Sequence, residues 1–280
     1  MRAEIEEIIA RAIEEDLGDG DHSSLSCIPS EALGVAHLKV KEAGVLAGVE
    51  LATWVFNQID PALVVDIRLH DGTRINPGDI ALYVSGSARS ILAAERTVLN
   101  FMQRMSGIAT ATDKMVQAMG NSHCKLLDTR KTTPGMRVVE KWAVRIGGGL
   151  NHRMGLYDMI MLKDNHIDFA GGIENAITRT HDYLKRTGKE LKIEIETRSL
   201  DDVQEVLRIG GVHRIMLDNF TPELMTEAVK MIGGKYETEA SGMINITNIR
   251  EYASTGVDYI SSGALTHHIK SLDLSLKSVL

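Results

Sequence analysis

The chain has 280 residues, 44% of them hydrophobic and 25% charged, and a formal net charge of −7. That length suffices for one α/β barrel or two smaller domains, and the composition excludes disordered and collagen-like classes. Cys27 and Cys124 lie far apart without metal-ligand spacing, which excludes a disulfide scaffold or zinc framework and fits reduced thiols.

The opening MRAEIEEIIARAIEED places Ile5, Ile8, Ile9, Ala12 and Ile13 at helical spacing among glutamates, which predicts an amphipathic helix. It lacks the apolar core of a secretory signal, and no run reaches the roughly 18 apolar residues of a membrane span. A cytoplasmic chain without membrane contact is expected. Strand-like runs follow at Val35–Val40, Val64–Leu69 and Ala81–Gly86, separated by turn formers such as Asp71-Gly72 and Asn76-Pro77-Gly78-Asp79. Between the first two runs, Leu51–Ile59 has helical character. The first hundred residues thus read as an α+β module with a mainly antiparallel sheet. A long helix over Ser90–Met119 leads out of it, weakened near Gly107, with Met102, Met105, Met115 and Met119 as core filling.

From Cys124 the pattern changes to short apolar runs that each end on a polar residue: KLLDTR, MIMLKD, LKIEIET, RIMLDN, YETEASG and YISSGA. Helical patterns occupy residues 172–186, 200–209, 222–232 and 245–254. This is the grammar of β/α units with parallel strands. Six strands suggest an incomplete barrel, and a doubly wound open sheet gives the same pattern.

In parallel barrels the carboxyl ends of the strands converge on one mouth, where catalysis is housed. Those ends carry Asp128, Arg130 and Lys131, then Lys163, Glu196, Asp218, Ser241-Gly242 and Ser262-Gly263. The stretch from Asp128 to His166 holds seven Lys or Arg against four Asp or Glu, net +3, whereas the other 241 residues are net −10. A local basic patch in an anionic chain suits a small polyanion better than nucleic acid. Arg130 and Arg153 offer planar forks for carboxylate or phosphate, Lys131 and Lys163 offer point charges, and His152 adds a donor. Glu196 and Asp218 fit three roles: ligands to Mg²⁺, acceptors for sugar hydroxyls, or counter-ions to the lysines. EASGM (Glu239–Met243) and SSGAL (Ser261–Leu265) each follow a strand and are expected to precede a helix, as phosphate cradles do. No Walker A lysine motif and no GxGxxG is present.

The runs EDLGDGDHSS, KEAGVLAG, ERTVLNFMQRMSGIAT, LDTRKTTPGMRVVEKWAVRIGGGLNHRMGLYDMIMLKDNHI, IEIET, IMLDNF, EASGM and GVDYISSGALTH closely resemble the quinolinate phosphoribosyltransferases, from about residue 15 to 268. The resemblance implies an N-terminal α/β sandwich over residues 1–106 and an open, incomplete parallel β/α barrel over 107–268. It also implies a tail, 269–280, that packs back on the first domain. A homodimer or larger homo-oligomer with active sites at the subunit interface is implied too, together with Mg²⁺. The implied reaction joins quinolinate and 5-phosphoribosyl 1-pyrophosphate, releasing pyrophosphate and CO₂.

By the same resemblance, Thr129, Arg130, His152, Arg153 and Lys163 grip quinolinate, with Arg96 reaching in from a neighbouring subunit. Lys131, Glu196 and Asp218 form the catalytic set, and the two carboxylates serve the ribose hydroxyls and the metal. Lys131 also faces the phosphoribosyl pyrophosphate, with Ser241, Gly242, Met243, Ser262, Gly263 and Ala264 lining its phosphate cradle. Met243 departs from the family pattern, where glycine is more usual.

Overall fold

The computed structural model describes residues 2–279 and divides into two units. The first comprises Met1–Asp113, Thr132–Gly148 and Leu265–Leu280. Its helices are α1 (Arg2–Leu17), α2 (His22–Cys27), α3 (Val49–Ile59), most of α4 (Ala88–Ala118) and α5 (Arg137–Ile146). Its main sheet takes β1 (Leu33–Val40), β3 (Val64–Ile67), β5 (Ile80–Ser87) and β12 (Leu274–Ser278) in the order β12-β1-β5-β3, antiparallel throughout. A ribbon of β2 (Gly44–Val45) and β4 (Arg74–Ile75) stands apart.

Alternation drives this sheet. Leu38 pairs with Leu82 on one side and Leu276 on the other, and Val40 pairs with Leu274. All of these are buried, as are Ile5, Ile9, Leu51, Val55, Phe56, Met102 and Met105 from the helices. Burial of each large side chain contributes about 1.5–3 kcal/mol.

Sequence periodicity weakens α4 at Gly107, yet the helix runs through it unbroken. The glycine is there for clearance: a Cβ would sit 2.3 Å from the Lys270 carbonyl oxygen. The segment around α5, inside the span expected for the barrel, belongs to the first unit. Trp142 stacks on Trp54 at 5.7 Å, and the buried Glu140 accepts from Arg104 Nη2 at 2.7 Å. Arg104 also donates to the Thr266 carbonyl at 2.8 Å, so this ion pair is locked by further hydrogen bonds.

The second unit, Lys114–Lys131 and Gly149–Ala264, holds the six parallel strands. They are β6 (Lys125–Leu127), β7 (Ile160–Leu162), β8 (Ile193–Thr197), β9 (Arg214–Asp218), β10 (Glu237–Ser241) and β11 (Tyr259–Ser261), ordered β6-β11-β10-β9-β8-β7. Helices α6 (Asp164–Ala170), α7 (Ile173–Thr187), α8 (Leu200–Ile209), α9 (Pro222–Ile232) and α10 (Ile249–Ala253) connect them, and α11 (Ala264–His267) follows β11. Ser199 and Thr221 cap α8 and α9 by accepting from the backbone N–H groups of Asp202 and Leu224. The edge strands β6 and β7 are not paired with each other. A single parallel bridge, Leu127 to Leu150, ties β6 to the chain that approaches β7, which is the open barrel rather than a flat sheet.

Candidate active site

Asp128, fully buried at the end of β6, organises one side of the mouth. Its carboxylate accepts from Asn151 Nδ2 at 2.6 Å and from the His152 backbone N–H at 2.8 Å. The loop of residues 149–153 is thereby fastened to β6. Beside it, Thr129 Oγ1 accepts from the Lys131 backbone N–H at 3.1 Å, and Lys131 is exposed. Arg153 donates from Nη1 to the Met159 carbonyl at 3.1 Å. Burial, and then the charge of Arg130 close by, lower the Arg153 pKa. Two guanidiniums in mutual range favour an anion between them.

The strand ends on the far side carry carboxylates. Glu196 is buried at the end of β8. Desolvation and then the charge of Asp218 raise its pKa, while Lys163 pulls it the other way. Glu196 therefore stands within electrostatic range of both Asp218 and Lys163, and Lys163 is exposed just past the end of β7. Arg96 is exposed on the α4 portion of the first unit.

The two Gly/Ser turns differ from the expected pattern. After β10 the chain makes seven irregular residues before the five-residue α10 begins at Ile249, so no helix follows Ser241-Gly242-Met243 directly. The second turn does lead into a helix at Ala264, but α11 has only four residues. A large dipole contribution is absent at both, which leaves backbone N–H groups as what the turns can offer an anion. The first turn is held in a sparsely populated conformation. Among the described residues, Asn219 (φ 56°) and Met243 (φ 47°) are the two non-glycines with positive φ, and both lie at this end of the barrel. Such placements cost about 1–3 kcal/mol each and mark sites where the surroundings dictate the backbone. A Cβ at Gly242 would collide with the side chain and backbone of Asn219, the nearest atom at 2.2 Å. The Met243 side chain is 88% exposed, and its carbonyl accepts from Asn245 and Asn248 side-chain amides, each at 3.3 Å. Ser262 is buried, with Oγ donating to the Ile244 carbonyl at 2.8 Å and its N–H to the Leu127 carbonyl at 3.1 Å. Its hydroxyl proton is spent on holding the first turn against the second.

Below the mouth lies a charged layer. His152 Nε2 is 3.0 Å from Glu194 Oε2 and 3.3 Å from Glu239 Oε2, and both carboxylates are fully buried. Arg214 Nη1 reaches Glu239 at 2.8 Å and its Nη2 reaches Glu237 at 3.0 Å, with the guanidinium 4.0 Å from the Tyr259 ring centroid. Burial disfavours a charged imidazole, whereas Glu194 and Glu239 favour one. A proton on Nδ1 meets an obstacle: the Arg153 backbone N–H points at that atom from 2.7 Å. Two N–H groups head to head would repel, so the geometry favours a single proton on Nε2, facing the carboxylates. Desolvation, and then Glu239, push Glu194 up to about 7.

The family model for the quinolinate phosphoribosyl transferase N-terminal domain matches residues 21–106, and that for the C-terminal domain matches residues 108–277. The chain belongs to the quinolinate phosphoribosyltransferase family.

A nicotinate-nucleotide pyrophosphorylase [carboxylating] of Oryza sativa is 47% identical, over 98% of this chain and 77% of its own length. The crystal structure of NadC from Streptococcus pyogenes superposes with a TM-score of 0.94 at 40% identity, covering 100% of this chain and 99% of the other. The nicotinate-nucleotide pyrophosphorylase from Francisella tularensis gives 0.93 at 37% identity, covering 100% and 97%.

Sequence reading of this quinolinate phosphoribosyltransferase family member missed Arg214 and the partnership of Glu239 with His152. A signal was available. Parallel strands buried on both faces are ordinarily apolar, yet IEIE, RIMLD and ETEAS place Glu194, Arg214 and Glu237 in one register row.

Proposed function

We infer that this chain transfers the phosphoribosyl group of 5-phosphoribosyl 1-pyrophosphate to quinolinate with loss of CO₂, giving nicotinate mononucleotide and pyrophosphate in NAD synthesis. The site reading is supported by one observation: Arg130 and Arg153 lie within electrostatic range of each other in the strand-end loops of a family-matched barrel, in an otherwise anionic chain.

The chemistry asks for such a rim. Quinolinate is a dianion, and its co-substrate carries several phosphates. Two unit charges at about 4 Å repel by roughly 4 kcal/mol at an effective dielectric near 20. Arg130, Arg153 and Lys163, with Thr129 and His152, are the residues assigned to the quinolinate carboxylates. Lys131 and the backbone of residues 241–243 and 263–264 are assigned to the sugar phosphates, with Ser262 holding the two turns together. Holding both anions in line lets the pyridine nitrogen lone pair form its bond to the ribose C1. The C1–O bond breaks at the same centre, and its electron pair leaves with pyrophosphate. The electron pair of the breaking C2–carboxylate bond then stays on C2, where the adjacent positively charged ring nitrogen stabilises it, and that pair takes up a proton as CO₂ departs. Orientation and charge stabilisation supply the rate, without a protein nucleophile.

Glu196 and Asp218 fit ribose hydroxyls or Mg²⁺: both are hard oxygen donors, and the raised pKa of Glu196 beside Asp218 leaves a place for positive charge. Bound there, Mg²⁺ would neutralise charge on the departing pyrophosphate. We assign Arg96 to the site of a second copy in a homodimer, which its exposure permits. Incubating the protein with quinolinate, phosphoribosyl pyrophosphate and Mg²⁺ tests the reading. Nicotinate mononucleotide and CO₂ are expected, with nicotinate inert. Turnover of nicotinate instead of quinolinate would overturn it.

A further inference from the structure

We propose that Glu194 and Glu239 are positioning residues for quinolinate: they hold the His152 ring, and through it the backbone of Arg153, from beneath the mouth. This rests on the assignment of Arg153 and His152 to quinolinate made above.

The connection can be followed atom by atom. Glu194 and Glu239 both face Nε2 of one imidazole, at 3.0 and 3.3 Å. The opposite ring nitrogen, Nδ1, accepts the backbone N–H of Arg153 at 2.7 Å. The backbone N–H of His152 itself donates to Asp128 at 2.8 Å. Ring rotation would therefore release the Arg153 N–H, and the two carboxylates bear on the ring angle from the far side. Arg153 is the residue whose guanidinium stands beside Arg130. The carboxylates themselves are fully buried, so their effect on a ligand is indirect, and His152 is the quinolinate-assigned side chain that both of them face.

Arg214 makes the arrangement affordable. Glu194 and Glu239 point at one atom from two strands, a repulsive pairing in a poorly solvated interior. Arg214 sits on Glu239 at 2.8 Å and is braced by Glu237 on its other edge. Barrel interiors are usually filled with branched apolar residues, which would be cheaper here than four charged side chains. The same His152, Glu194 and Glu239 atoms lie within 4.8 Å of one another, a spacing that also suits a metal. The guanidinium already on Glu239 speaks against a second cation at that oxygen.

The test compares the wild type with Glu194→Gln, Glu239→Gln and the double variant, which keep side-chain volume. Quinolinate affinity is read by calorimetry without co-substrate, together with both Michaelis constants, melting temperature and bound metal. In the variants the quinolinate dissociation constant and KM should rise about tenfold or more, while the KM for phosphoribosyl pyrophosphate stays within about twofold. The single variants should lie between wild type and the double variant. Unchanged quinolinate binding overturns the proposal. So does a parallel rise in both Michaelis constants, which marks general damage, or a stoichiometric metal that is lost in the variants. If the double variant does not fold, the single variants are read against the same criteria. Failure of the wild type to use quinolinate would instead overturn the functional reading, and this inference with it.

Discussion

In the antiparallel sheet of the first unit, the rows that alternation turns inward are Leu38, Leu82 and Leu276, then Val40 and Leu274. In the parallel sheet of the second unit, the corresponding rows carry Glu194, Arg214 and Glu237, then Glu196, Met216 and Glu239. The first pattern gains free energy from burial, whereas the second spends it on desolvating charge. One sheet is therefore built for stability and the other to hold charge in place, and the two should fail differently when altered.

Leu82→Ala should show the sharpest form of that contrast. It should lose about 2–5 kcal/mol of unfolding free energy by denaturant titration, with kcat/KM per folded molecule unchanged. A matching loss of specific activity would blur the division between the sheets. Arg130→Ala and Arg153→Ala should do the reverse. Each should raise the KM for quinolinate about 100-fold, the order expected when one side of a charge-assisted pair is removed, with little change in melting temperature. Unchanged KM values would remove them from the quinolinate site. Mixing Arg96→Ala with Arg130→Ala subunits should restore part of the activity through hybrid dimers with one intact site, and no recovery in verified mixed dimers would return Arg96 to its own chain. The smallest effect belongs to Asp21, whose carboxylate caps α2 by accepting from the backbone N–H groups of Ser23 and Ser24. Asp21→Ala should cost about 1 kcal/mol. The Ser24 hydroxyl and backbone hold the Asp21 pKa below 3.8, so its contribution is present above that pH and fades as the pH falls further. A deficit that persists undiminished in acid would refute this capping role.

The six parallel strands were legible because each is a short apolar run closing on a polar residue, and α8 and α9 because their apolar spacing is bounded by Ser199, Thr221 and following glycines. The charges at the mouth were legible for the same reason, since strand ends are fixed once strands are found. What escaped depends on partners distant in sequence. Whether Gly107 weakens a helix or admits a carbonyl turns on Lys270, and nothing local distinguishes the two. The delayed start of α10 follows from the strained turn at Gly242 and Met243 packed against Asn219, whereas periodicity alone extends the helix back to Asn245. Arg214 looked like any strand-start arginine until register set it between Glu194 and Glu237.

The first unit is assembled from three separate stretches of chain, and β12, which completes its sheet against β1, is drawn from the last. During synthesis β12 is made after all six strands of the parallel sheet, so the antiparallel sheet lacks that strand until every parallel one has been translated. Nascent β1 thus keeps one unpaired edge until β12 emerges, which makes that interval the stage at which chaperone protection matters most for this chain.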